Sequence, residues 1–152
     1  MSVIPIERAM HHLLAEPEDQ DLVQSQLDGA ETAAASYLQR RFYADQAALA
    51  EAVASVPGAR SSARAIHAAS IEAASEIEDL CDRESAVSDA DFVLQEALDS
   101  CTAAARGMVI NEAIAAACLL KLGDLFANRE DSPELPIAAK NLLTPYRIGM
   151  GV

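Results

Sequence analysis

The chain has 152 residues, with 24 acidic against 11 basic side chains and a net charge of −13. The length fits one domain with a modest core. So acidic a balance argues against ordinary nucleic-acid binding, which needs clustered Lys and Arg to neutralise phosphates. Apolar residues make up 51%, but 32 of them are alanine, Trp is absent, and Tyr and Phe number three each. Alanine favours helix and disfavours strand, and no Asn-Gly or Asp-Gly hairpin signal occurs, so the expected fold is all-α with no strand.

In chain order, Pro5 opens a first helix to about Ala15, with Ile6, Met10, Leu13 and Leu14 on one side. Pro17 stops it. A second helix, about Asp19 to Phe42, carries Val23, Leu27, Ala30, Ala34, Tyr37, Leu38 and Arg41 along one stripe, and Ala33, Ala34 and Ala35 leave its middle slim. Asp45 caps a third helix, ended at Ser55 by Pro57-Gly58. A long helix is expected from about Ala59 to Arg83, and another from the Ser88–Asp91 start signal to Met108. Their near-heptad seams predict an antiparallel helical hairpin. Asn111 caps a last long helix, Glu112 to about Glu130, apolar on nearly every side; one small fold can hardly enclose it, which points to self-association. The tail then passes through Leu135-Pro136 and a short turn to Thr144-Pro145, where proline biases Thr144 toward extended backbone. From Leu135 to Val152 the chain has Lys140 and Arg147 but no acid.

Chemistry-bearing patterns are absent. There is no phosphate loop, nucleophile elbow or His-Glu-x-x-His pair, so no enzyme and no cofactor are expected. Cys81, Cys101 and Cys118 are odd in number and far apart, which argues against structural zinc and for small buried residues in a reducing compartment. His67 sits among Ala and Ile and reads as packed. "MSVIPIERAM" lacks a signal-peptide pattern, and no apolar run is long enough to span a bilayer, so a soluble protein is expected. Between Glu72 and Asp99 stand ten acids and one base, Arg83. This run is either a solvated outer face or a surface that repels passing DNA.

Several motifs fall in one order. "HHLLAEPED" ends the first helix. "DLVQSQLDGAETAAASYLQRRF" follows, with Leu22, Leu27, Ala30, Glu31, Tyr37, Leu38 and Arg41 at spaced apolar, acidic, aromatic and basic positions. Near the end come Phe126-Ala127-Asn128-Arg129, Leu135-Pro136 and Leu142-Leu143-Thr144-Pro145-Tyr146-Arg147. Together they resemble the gp6-like head–tail connector (adaptor) family of tailed bacteriophages. The resemblance covers roughly the first 43 and last 45 residues. Phe126 departs from the usual Tyr, and the middle, about 44–107, is longer and more helical than the family's insert.

The resemblance implies a structural protein of the virion head–tail interface, passing through the host cytoplasm during assembly. It implies a small helical bundle of four parts: N-terminal helices at 1–43, a helical insertion at 44–107, a central helix at 108–130 and an extended C-terminal tail at 131–152. Its members form a ring under the portal, matched to twelve-fold symmetry, that extends the DNA channel and docks the next head-completion, stopper or tail protein. Portal contact then falls to Leu142, Leu143, Pro145, Tyr146 and Arg147. Subunit contacts fall to Tyr37, Arg41, Phe126 and Arg129, and an acidic channel lining to Glu72, Glu76, Asp79 and Asp82. Rival readings stay open: the tail as a clasp on its own subunit, and Arg129 as a cap on its own helix. A helical regulator dimerising through the Ile114–Phe126 helix and a stopper or tail-completion protein also remain.

Overall fold

The computed structural model describes residues 2–128 and 134–148. Among them the chain is an all-α helical bundle: α1 Ile6–Leu13, α2 Gln20–Leu38, α3 Gln46–Ser75, α4 Leu80–Ala105, α5 Glu112–Ala127 and α6 Ile137–Leu143. Short 3-10 turns occupy Pro17–Asp19 and Thr144–Tyr146. The chain divides into two compact units, one made of Met1–Leu49 with Met108–Val152, the other of Ala50–Gly107.

In the first unit, α2 and α5 form the centre. The predicted stripe is real: Val23, Leu27, Ala30, Ala34 and Leu38 are all fully buried. Alanines at 30 and 34 let another helix approach closely, and α5 takes that place with Ile114, Ala115, Ala117, Cys118, Leu119 and Leu122 buried. The expectation that one fold can hardly enclose α5 holds in part: most of the helix is covered, but Leu120 stays exposed. α1, α2 and α6 all pack on it, and because so many facing residues are alanine, one long helix and two short ones cover most of it. Asn111 caps α5 as its position predicts, its Oδ1 accepting from Ile114 N–H at 3.0 Å. On the surface, Arg8 of α1 donates to Glu112 of α5 from Nη1 and Nη2, at 3.2 and 2.6 Å. α1 ends at Leu14 (φ 53°) and α2 at Gln39 (φ 56°), left-handed caps that return N–H groups to the last helical carbonyls.

α2 therefore stops at Leu38, short of the expected Phe42. Residues beyond it form β1, Phe42–Tyr43, paired in parallel with β2, Met108–Val109. No strand was expected, because two residues are too few to show a two-residue period. This ladder ties together the points where the chain leaves the first unit and returns to it.

The second unit holds most of α3 and all of α4. Two boundaries expected from sequence are displaced. α3 runs straight through Pro57, which sits inside the helix. Proline there removes one hydrogen bond and crowds the preceding turn, and alanine-rich flanks offset that cost. Val53, Pro57 and Gly58 are exposed, so water can reach the orphaned Val53 carbonyl. Pro57→Ala is expected to stabilise this helix by about 2 kcal/mol, the helical gain less the lost stiffness of the unfolded chain. Slower amide hydrogen exchange across 53–59 would show it; unchanged exchange would mean the helix is already broken there.

The link between the two helices lies at 76–79, not at 84–88. Asp79 caps α4, its Oδ1 accepting from Asp82 N–H at 3.0 Å, while Arg83 Nε and Nη2 both donate to the Ile77 carbonyl at 2.9 and 2.6 Å. The one base in the acidic run thus closes the turn. The Ser88–Asp91 signal lies within α4, since a cap residue with helix formers on both sides loses to continuation.

Candidate functional site

The motifs converge near the end of the chain, and the first unit absorbs residues 134–148. α6 and the 3-10 turn Thr144–Tyr146 fold against α2 and α5. Leu135, Ala139 and Leu143 are buried in the core, with Leu142 and Tyr146 half-buried against it. Thr144 is helical (φ −49°, ψ −42°), not extended as the following proline suggested. Its hydroxyl donates to the Lys140 carbonyl at 2.7 Å, which holds the turn closed.

Tyr37 of α2 anchors this segment. Its hydroxyl lies 3.2 Å from Thr144 Oγ1, and the Arg147 guanidinium sits 4.9 Å above its ring. Ile148 N–H donates to the Leu38 carbonyl at 3.3 Å. The clasp reading therefore holds for residues 134–148, and Leu143 is corrected from a portal contact to a core residue. Tyr37 and Phe126 likewise pack within their own subunit. Pro145 and Arg147 remain exposed, as does Arg41, while Arg129 lies outside the described residues.

Two residues organise this unit in ways the sequence did not reveal. Lys121 is only 3% exposed; its Nζ donates to the Glu134 carbonyl at 2.9 Å and to Asp124 Oδ2 at 3.3 Å. Lys140 Nζ bonds Glu134 Oε2 at 3.1 Å, so the chain is fixed to α5 and α6 where it enters the tail. Glu31 is the other: its carboxylate accepts Val3 N–H at 2.8 and 3.0 Å and Ile4 N–H at 2.8 Å. Val3 of the bound amino-terminal segment, α2, Arg41 and Phe42 line a cavity of about 390 Å³ with Glu31 and Asp28 on its wall. Burial pushes the Glu31 carboxyl above its usual range, against the lowering pull of those two N–H groups.

Glu72, Glu76, Asp79 and Asp82 are all exposed, at or near the closed end of the hairpin. Asp79 has a structural task as a cap; Glu72, Glu76 and Asp82 are exposed carboxylates along or beside the turn. His67 is paired with Asp91 across the hairpin at 2.8 Å. Among the described residues no group of His, Cys, Asp and Glu is arranged to hold a metal ion, and no helix is long and apolar enough to cross a membrane.

The cysteines do not all follow the buried expectation. Cys101 and Cys118 are buried, and burial, helped by the nearby Glu31 charge, pushes the Cys118 thiol up to about 12; Cys81 is exposed beside the hairpin turn. Iodoacetamide at about pH 8 is expected to label Cys81 alone in the folded chain and all three after denaturation, read by intact mass. Labelling of Cys118 in the folded chain would contradict its placement. No family model, curated protein or solved structure matches this chain.

Proposed function

We propose that this chain is a non-catalytic assembly protein of a tailed bacteriophage, a head–tail adaptor that forms a ring on the portal and docks the next head-completion or tail protein. One observation carries the reading. The segments bearing the connector-like motifs, about a hundred residues apart in sequence, fold into one unit, and motif residues meet there: Tyr37 bonds Thr144 and lies under Arg147, while Leu38 accepts from Ile148, the residue after the motif. The segment without resemblance forms the other unit.

On this reading the tail motif has two duties. Leu143 and Tyr37 hold the subunit together, and the exposed Pro145 and Arg147, with the outer edges of Leu142 and Tyr146, face the portal. Arg41 serves a neighbouring subunit of the ring. Glu72, Glu76 and Asp82 supply negative charge toward the DNA path, where repulsion keeps phosphates moving. The rival reading, a dimer formed through α5, would draw on Leu120, which is exposed, and on the half-buried Leu125 and Phe126, whereas Ile114, Leu119 and Leu122 are buried within their own unit.

Deletion of this gene from the phage that carries it tests the proposal. Particles are expected to stop as DNA-filled heads without tails, restored by the chain supplied in trans. Tailed, infectious particles from the deletion strain would overturn it.

A further inference from the structure

The second unit carries an unfilled groove. α3 and α4 leave a cavity of about 470 Å³ between them, lined among others by Ile66, His67, Ile77, Asp89, Val93 and Leu94. Its floor is low because alanine stands at 63, 73, 74, 86, 90 and 97. Two helices alone cannot bury both sides of such a seam. Within this unit only Val56, Ala74, Ala90 and Cys101 are buried among apolar residues, whereas Ile66 is 60% and Val93 53% exposed. The lined stretch of α3, Ala63 to Ala74, is roughly 16 Å long at 1.5 Å per residue, about three helical turns, and Ile77 of the link extends it.

We propose that this groove receives a basic amphipathic helix from a partner protein, which lies between α3 and α4 as the third helix of a bundle. Shape favours a helix bearing large apolar side chains, since alanine holes accept knobs that the groove itself lacks. Charge selects its flanks. Asp89 stands in the wall, exposed and with no ion pair among the described residues, and Asp91 sits at the rim beside His67. From Glu72 to Asp99 the one base is Arg83, already committed to the Ile77 carbonyl. Lysine or arginine on the α4 side of the apolar stripe and toward the closed end meets this charge; the α3 side at 63–71 holds Arg64 and no acid. A second copy of the hairpin fits less well: it would bring the same ten acids against these and the same alanine holes against holes. The inference rests on the second unit alone and is independent of the adaptor reading.

The test uses the full chain and a fluorescent, amidated peptide of about sixteen residues with Leu and Phe on one helical stripe and Lys on its flanks. A twin peptide with Glu in place of Lys is the control. Fluorescence anisotropy is expected to show binding of the basic peptide and none of its acidic twin. The double variant Ile66→Glu with Val93→Glu changes two exposed side chains and is checked for intact helix content by circular dichroism. It is expected to weaken binding at least tenfold even though it adds negative charge, while Ile137→Glu in the first unit leaves binding unchanged. Mere attraction between opposite charges would instead tighten binding to the double variant, and that result overturns the proposal. So does failure of the basic peptide to bind, or a dimer of the chain alone that the double variant abolishes, which would make a second copy the occupant.

Discussion

Leu143→Ala is expected to destabilise the first unit by about 3 kcal/mol, as deletion of a fully buried leucine does when its site cannot collapse. Leu143 is wholly buried with Ala139 and Leu135 on a segment that packs against α2 and α5. Denaturant unfolding of parent and variant would give the difference directly. A change under about 0.5 kcal/mol, the scale of an exposed position, would mean that the tail is not part of the subunit's core. The outcome bears on function as well. Truncating the tail removes core as well as surface, so loss of assembly after truncation cannot be assigned to a lost contact. Pro145→Glu is the cleaner probe, since Pro145 is exposed.

Glu31→Ala is the second large effect, expected to cost about 2 kcal/mol by leaving the Val3 and Ile4 N–H groups without their acceptor. The conservative Glu31→Gln keeps an oxygen there and separates charge from hydrogen bonding. The pH dependence follows from the direction of the shift. Burial raises the folded carboxyl above its ordinary value of 4.5, so between 4.5 and the raised value the folded chain holds more proton than the unfolded one. Stability from this group is therefore greatest below 4.5 and declines as pH rises through the raised pKa. Glu112, lowered by its bonds to Arg8, acts in the opposite sense, but it is common to parent and variant and cancels in their difference. Relative to the Gln variant, the parent's Tm is expected to fall as pH climbs from 4.5. A parent curve that rises relative to the variant would mean that the N–H bonds outweigh burial and that the carboxyl is lowered.

Much of the first unit was legible because its signals are local. The Val23–Leu38 stripe, the Asn111 cap and the Asp45 cap, which accepts Ala48 N–H at 2.8 Å, each lie within a few residues of what they organise. What escaped reading depends on distant or competing partners. Glu31 stood out only as an acidic position, because its partners are main-chain N–H groups that no side-chain pattern encodes. Lys121 is a lone cation in a helix apolar on nearly every side; its task is to hold the Glu134 carbonyl thirteen residues away. Pro57 and the Ser88–Asp91 stretch are real stop and start signals overruled by helix formers around them, and Arg83 drew the hairpin turn to itself. The acidic run was visible at once, but the groove beneath it was not, since a seam of alanine reads as packed whether or not its helices close.

The adaptor reading is tested most directly by co-expressing this chain with the portal protein of the same phage and weighing the complex by native mass spectrometry. The account predicts a portal ring carrying an equal number of copies of this chain, with the added ring lost or depleted in Pro145→Glu while the variant's own fold persists. Portal rings that emerge bare beside a folded, separate chain would contradict it.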